Sequence, residues 1–179
     1  MEELLSWEEF KEVYTNWIMF RYEKADKSGW KLHIFGTTLE DSYDVMTRID
    51  FLCRTKNIMY KVAHTAIMER AIGNPEHMQY GKICAIYLPN WLFHDDTELK
   101  LFIEELMSTL DGYKPKGSIQ GDMMLTDNIG YRYELGVPVD PKKGANYFEY
   151  NRWYRDNDGD YNIKGNPDPF TDLKLEYDT

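Results

Sequence analysis

The sequence predicts an α+β domain with a single mixed sheet flanked by helices, followed by a long irregular C-terminal segment. Three observations lead to this fold class. Segments with helix-like and strand-like hydrophobic patterns alternate from residue 7 to residue 136. A predicted helix separates the first two strands, which favours a parallel β-α-β start. From Val137 onwards the chain is rich in glycine, proline, asparagine and aspartate, which is typical of irregular structure.

The chain has 179 residues, which suffices for one domain with a substantial buried core. We expect three parts within this single domain. An N-terminal helix lies within 1–26, a core of helices and strands covers 29–136, and a segment over 137–179 wraps the core. Because 42% of the residues are hydrophobic and 15% are aromatic, the composition excludes a disordered chain.

The N-terminal segment predicts one long helix, from Trp7 to Glu23. Ser6 and Glu9 fit a capping box, in which the side chain of each residue bonds the backbone N–H of the other. Apolar and aromatic residues then recur at helical spacing, beginning with Phe10. The expected helix is therefore amphipathic and packs one face on the sheet.

The remaining elements follow from the period of the hydrophobic residues. The stretch GWKLHIFG (29–36) predicts a strand in which Lys31 and His33 share one face, because side chains alternate along a strand. Cys53 falls on the apolar stripe of the next helix and is expected in the core. The further elements are expected in the order helix 38–57, strand 58–63, helix 65–73, strand 83–89, helix 95–112 and strand 130–136.

The overall charge and the cysteine content limit the class of protein. A net charge of −10 argues against nucleic acid as a partner, because nucleic-acid binding needs a surplus of lysine and arginine on one face. No apolar stretch approaches the length of a membrane span, and the acidic N-terminus lacks the pattern of a signal peptide. Two cysteines fit a reducing compartment. We therefore expect a cytoplasmic protein with neither nucleic acid nor membrane as a partner.

The sequence predicts no metal site and no cofactor. The loop DNDGD (156–160) resembles the start of a calcium-binding EF-hand, but it lacks the glycine and the final glutamate that complete such a loop. His64, His77 and His94 have no cysteine or carboxylate at the spacing of metal ligands. We interpret these three histidines as surface or loop residues.

A cation accompanies each of the strands expected between residues 29 and 136. These cations are Lys31 and His33, Lys61, Lys82 and Arg132. A lysine within an apolar strand is costly to desolvate unless an anion meets it. One such lysine is more often an edge residue, so the argument depends on the whole set. If all five share one face of the sheet, they form a pocket for a small, multiply charged anion such as phosphate.

These motifs, in this order, resemble those of the phosphoserine/phosphothreonine lyases. KLH (31–33) lies on one strand and YKV (60–62) on the next, YGK (80–82) precedes an apolar YLP strand, and YRY (131–133) lies on the last. Together with DGDYNIKGNPDPF (158–170), the pattern is most similar to the N-terminal lyase domain of class III and IV lanthipeptide synthetases. Bacterial effector phosphothreonine lyases share it more distantly.

The resemblance implies β-elimination of phosphate from a phosphorylated serine or threonine in a precursor peptide, which yields dehydroalanine or dehydrobutyrine. It implies that Lys61 is the general base for the α-proton and that His33 is the acid that protonates the leaving phosphate. Lys31 would steady the phosphate or the substrate carbonyl, and Lys82 and Arg132 would bind phosphate or carbonyl. The implied partners are the phosphopeptide and the kinase and cyclase domains of the same pathway, with no cofactor.

Two departures from the family pattern leave other functions open. The glycines that follow the arginine in the family's RYGGF are replaced in RYELG (132–136). Arginines that the family has before Lys82 and in the tail are absent, and His77, Gln79 and Lys164 are the candidate substitutes. The alternative hypotheses are a non-catalytic phosphopeptide-binding module and an effector-type phosphothreonine lyase that acts on a protein.

Overall fold

The computed structural model describes residues 4–20, 29–134, 169, 170, 173 and 175. Within these residues the chain forms four α-helices and six strands. The strands are β1 (Trp17–Phe20), β2 (Gly29–Phe35), β3 (Met59–Ala63), β4 (Lys82–Tyr87), β5 (Met123–Met124) and β6 (Ile129–Glu134). The helices are α1 (Trp7–Glu12), α2 (Leu39–Thr55), α3 (Thr65–Ile67, continued by a π-helical turn over Met68–Ile72) and α4 (Asp96–Thr109). No helix in these ranges is long and apolar enough to cross a membrane.

The six described strands form one sheet in the order β1-β3-β4-β2-β6-β5, and every neighbouring pair is antiparallel. The α+β class is therefore confirmed, whereas the expected mixed sheet with a parallel β-α-β start is corrected. β2 and β3 do run in the same direction, but β4 lies between them and pairs with both. The sequence pattern shows that a helix links two strands, but it does not show that a later strand enters between them.

The prediction of one N-terminal helix from Trp7 to Glu23 was wrong. α1 has the predicted capping box, but it ends at Glu12, and the backbone is extended at Val13. β1 then pairs with β3. Aromatic and β-branched residues fill this stretch and suit a strand better than a helix, so pairing with β3 decides the outcome. Residues 21–26 of the predicted helical part lie outside the described residues.

Helices α2 and α4 cover one face of the sheet, which we call the helical face. Leu32 and Ile34 of β2, Val62 of β3 and Ile86 of β4 are fully buried there, together with the apolar stripes of both helices. Cys53 is buried in the same cluster, which confirms its predicted place in the core. The helical face thus contains the main hydrophobic core.

Phe170 brings the C-terminal segment into contact with this core. Its ring stacks on Tyr131 with centroids 4.3 Å apart, and it meets Trp30 edge-on at 5.4 Å. Almost all of the predicted wrapping segment 137–179 lies outside the described residues, and the loop 156–160 lies outside them entirely.

His64 lies in the connection between β3 and α3, so it is a loop residue as predicted, but it is fully buried and not at the surface. Its Nε2 donates to the carbonyl of Phe10 at 2.6 Å, and its Nδ1 lies 2.6 Å from the hydroxyl of Thr65. Its backbone N–H donates to the carbonyl of Asn16 at 2.9 Å. His64 therefore ties α1 and the residue before β1 to the end of β3, and sequence spacing does not reveal a partner 54 residues away.

Candidate active site

The register of the sheet places His33 and Lys61 on the face opposite the helices, which we call the cationic face. His33 of β2 pairs with Ala85 of β4, and Ala85 pairs in turn with Lys61 of β3. Directly paired residues point to the same side of a sheet. The backbones of His33 and Lys61 are thus two strand spacings apart, about 10 Å. Ala85 contributes only a methyl group to the strip between them.

The other three predicted cations lie on the same face. Lys31 pairs directly with Arg132 across β2 and β6. Lys82 is placed by an irregularity in the pairing of β2 with β4, because the register shifts just before Phe35 and puts Lys82 opposite that residue. Phe35 is two positions after His33 and shares its side. Four of the five cations are less than 10% exposed, and Lys61 is half-buried.

Asp122 is the site residue that the sequence analysis missed. Its carboxylate lies between two of the predicted cations, with Oδ2 2.7 Å from Nδ1 of His33 and Oδ1 2.7 Å from Nε of Arg132. It is buried and comes from the loop before β5. Because 89 residues separate it from His33, no local motif contains both groups.

Gly130 makes room for this carboxylate. It pairs with His33 across β2 and β6, so a side chain at this position would point to the cationic face. A Cβ there would come within 2.7 Å of Oδ2 and 2.9 Å of Cβ of Asp122. A glycine inside a strand usually marks a close approach of other atoms. The glycine of GYR (130–132) is therefore the sequence signal that could have indicated a group packed against this strand.

Burial and neighbouring charges set the protonation of the His33–Asp122 pair. Burial lowers the pKa of His33 from 6.5 to about 4 against the attraction of Asp122, and Arg132 and Lys82 add to the lowering. Burial would raise the pKa of Asp122, but His33 and then Arg132 and Lys82 hold it below its usual 3.8. Near neutral pH the imidazole is neutral and the carboxylate is ionised. Because a carboxylate only accepts hydrogen bonds, Nδ1 of His33 carries the proton and Nε2 has none.

Arg132 has one nitrogen whose hydrogen-bonding capacity is unused among the described residues. Its Nε donates to Asp122, but its buried Nη2 has no hydrogen-bond partner among the residues that the structure describes. A buried donor left unsatisfied costs about 1–3 kcal/mol, and more when the group is charged. Guanidinium groups bind phosphate and carboxylate oxygens through strong, charge-assisted hydrogen bonds. An anionic oxygen beside Nη2 would remove this cost.

Aromatic rings flank Lys31 and Lys61, which lie on the two strands that pair with β4. Nζ of Lys31 is 4.6 Å from the ring centroid of Tyr87, and Nζ of Lys61 is 6.0 Å from the same centroid. On its other side, Nζ of Lys61 is 4.1 Å from the ring centroid of Trp17. Cation–π attraction acts at these distances, so the rings help to fix both ammonium groups above the sheet.

Among the candidate substitutes for the missing arginines, His77 and Gln79 bond each other. In the loop before β4, Nδ1 of His77 accepts a hydrogen bond from the backbone N–H of Gln79 at 3.0 Å. Lys164 and residues 135–136 of the altered RYELG motif lie outside the described residues. Within the part of the chain that is described, no group of three histidine, cysteine, aspartate or glutamate residues could hold a metal ion.

Comparison with known proteins places the chain in a family. No curated protein matches it. The family model for the N-terminal domain of RamC matches residues 5–137, a range that contains the whole described sheet and every side chain of the cationic cluster. The chain therefore belongs to the RamC N-terminal domain family, which is related to the class III and IV lanthipeptide synthetases.

Proposed function

We propose that this protein is a phosphoserine/phosphothreonine lyase, which removes phosphate from a phosphorylated peptide by β-elimination during lanthipeptide-related biosynthesis. The observation that carries the proposal is the buried Nη2 of Arg132, which has no hydrogen-bond partner in the described part of the chain and lies on a face that also presents Lys31, Lys82 and His33. A phosphate group has both the charge and the acceptor oxygens that this face requires. Membership of the RamC N-terminal domain family supports the biosynthetic setting.

The phosphate is proposed to bind over β2, which lies between the strands that carry Arg132 and Lys82. Arg132 would donate from Nη2, while Asp122 holds its Nε at 2.7 Å and so fixes the plane of the guanidinium. Lys31 and Lys82 would add charge from either end of β2. This arrangement would leave the α-carbon of the phosphorylated residue above Ala85, within reach of Lys61.

Lys61 is the proposed base. Its neutral amine would take the α-proton, the electron pair of the C–H bond would form the Cα=Cβ double bond, and the Cβ–O bond would break with its electrons on the phosphate oxygen. Lys61 would then be an ammonium ion until it returns the proton to water. An α-proton beside an amide is very weakly acidic, so cations near the developing negative charge matter as much as the base.

His33 is the proposed acid, and the ligand-free geometry defines how it acquires its proton. Near neutral pH its Nε2 carries none, because Nδ1–H is donated to Asp122. A phosphate dianion beside Nε2 would raise the pKa of His33, since it stabilises the imidazolium. Phosphate monoesters have a second pKa near ~6, so the proton can also arrive with the substrate. Nε2 would return it to the leaving oxygen, and hydrogen phosphate would depart.

The test is incubation of the protein with phosphoserine and phosphothreonine peptides. We expect release of inorganic phosphate and a peptide product lighter than the unphosphorylated peptide by one water, which mass spectrometry resolves. A product with the mass of the unphosphorylated peptide would mean hydrolysis and would contradict elimination. Tight binding with no phosphate released would instead identify a phosphopeptide-binding module.

A further inference from the structure

A tryptophan that the proposed reaction does not use faces Lys61 from the neighbouring strand. Trp17 pairs with Ala63 and Met19 pairs with Lys61, so Trp17 is the diagonal neighbour of Lys61 on the cationic face. The centroid of its ring is 4.1 Å from Nζ, well inside the distance of about 6 Å at which cation–π attraction is significant. The ring is thus in direct contact with the proposed base.

The position of Trp17 restricts where the Lys61 amine can go. In the described sheet, β1 is the strand next to β3 and lies at the edge. A lysine has a long, flexible stem that readily reaches past such an edge to water. The ring of Trp17 occupies this side of Lys61, while Tyr87 lies on the other side with its centroid 6.0 Å from Nζ. The amine is therefore kept above the sheet, beside the strip that leads to His33.

The segment that carries Trp17 is itself held to the strand that carries Lys61. The backbone N–H of His64 donates to the carbonyl of Asn16, the residue before Trp17. The buried imidazole of His64 also donates from Nε2 to the carbonyl of Phe10. His64 directly follows the last residue of β3 and is three positions after Lys61. These contacts hold the backbone next to Trp17 against the strand that carries Lys61.

We propose that Trp17 is a positioning residue for Lys61 and that the segment 4–20 completes the site through it. This inference rests on the proposed function, because it assigns the ring to the base of that reaction. Trp17 acts through the amine and touches neither the phosphate nor the leaving group. Its loss should therefore slow removal of the α-proton while phosphopeptide binding persists.

The kinetic test compares Trp17→Leu and Trp17→Met, which remove the ring, with Trp17→Phe, which retains one. We expect kcat to fall about tenfold in both non-aromatic variants, with less than about a threefold change in KM, and to recover most of its value in Trp17→Phe. The kinetic isotope effect of an α-deuterated phosphopeptide should rise in the non-aromatic variants, because proton removal becomes slower. Trp91→Leu, at another partly exposed tryptophan, is the control and should match the wild type. An unchanged kcat in Trp17→Leu and Trp17→Met, or a loss of equal size in Trp17→Phe, would overturn the proposal.

A second measurement separates this inference from the proposed function. Acetic anhydride labels lysine amines, and mass spectrometry can follow Lys61 in the ligand-free protein with Lys56 as an internal reference. We expect several-fold faster labelling of Lys61 in Trp17→Leu, and wild-type rates in Trp17→Phe and in the Trp91→Leu control. Equal labelling in all variants would overturn the role of Trp17, whatever their activity. If the labelling rates are as expected but the wild type releases no phosphate, the contact between Trp17 and Lys61 is supported and only the lyase function is refuted.

Discussion

The two faces of β2 bury their side chains for different reasons. Leu32 and Ile34 are fully buried on the helical face, and Lys31 and His33, which alternate with them, are nearly as inaccessible on the cationic face. Burial of the first pair is favourable because it removes apolar surface from water. Burial of cationic or polar groups is unfavourable unless charges and hydrogen bonds compensate for the lost water.

The difference supports the proposal that one side of the strand serves stability and the other serves a ligand. On the helical face the packing is complete within the protein. On the cationic face Asp122 bonds both His33 and Arg132, yet one nitrogen of Arg132 stays without a partner among the described residues. A buried cation that is costly in the ligand-free protein would become favourable if the proposed anion bound beside it. The predictions below test whether the two faces can be changed independently.

The largest expected effect is the loss of the proposed base from the cationic face. Lys61→Met should lower kcat by about 10³-fold, because general-base catalysis typically contributes a factor of that order. Binding of a phosphopeptide should stay within a few-fold of the wild type, since the other cations remain. Lys56→Met, at the end of α2, is the matched control and should keep full activity. If Lys61→Met retains full turnover, Lys61 is not the base.

The next largest effect is expected on the helical face of the same strand. Leu32→Ala should lower the free energy of unfolding by about 3 kcal/mol, because it leaves a cavity in a fully buried site. Urea denaturation measures this loss. At a temperature where the variant is folded, its kcat should equal that of the wild type. A fall in kcat without loss of stability would show that the two faces are not separate.

A pair of buried aspartates gives a matched comparison between the faces. Asp122→Asn should lower kcat by about 100-fold, because the neutral amide no longer stabilises the His33 imidazolium. Asp50→Asn is the control on the helical face, where Asp50 accepts a hydrogen bond from Tyr60 at 2.7 Å. There we expect a loss of stability in thermal unfolding with unchanged kcat. Equal effects of both substitutions on kcat would contradict a specific role for Asp122.

The smallest effect is a pH dependence of stability that arises from the cationic face. The pKa of His33 is about 4 in the folded protein and 6.5 in its ordinary state, so the folded protein favours the neutral imidazole. The contribution of the neutral His33 to the free energy of unfolding is therefore complete above about pH 6.5 and declines as the pH falls towards about 4. Between about pH 7 and about pH 5.5 the free energy of unfolding should fall by about 1 kcal/mol.

Urea titrations at several pH values measure this dependence. His33→Asn removes the titrating group while its amide can still donate to Asp122, so its stability should be nearly constant over the same range. The pKa of Asp122 is held below 3.8, so the stabilisation that its carboxylate provides is lost only at still lower pH and does not add to the slope in this range. A slope of equal size in His33→Asn would assign the dependence to other groups.

The elements with strong hydrophobic periodicity could be predicted from the sequence. Four of the six strands and the helices α2 and α4 occur where the pattern of apolar residues indicates them. The alternation of side chains along a strand was also sufficient to predict a common face for Lys31 and His33. These features depend only on neighbours within the same element.

The features that depend on distant partners could not be predicted. β1 has a sequence that also fits a helix, and only its pairing with β3 distinguishes the two. The face on which Lys82 lies also depends on a partner strand. Simple alternation from Cys84 would place Lys82 among the core residues. The register shift beside Phe35 moves it to the cationic face instead. Asp122 has no signal in its own surroundings, since its role arises from contact with His33 and Arg132.

Gly130 offers a criterion for sorting related chains by the chemistry they retain. A side chain at this position would clash with Asp122, so the identities of the two residues should depend on each other. Among homologues we expect them to covary, with a glycine at the first position wherever the second keeps its carboxylate. A homologue that has lost both, while keeping the arginine equivalent to Arg132, would retain a cation for phosphate but lack the group that orients the histidine. Such chains would be natural pseudoenzymes, which capture phosphopeptides and release them unchanged.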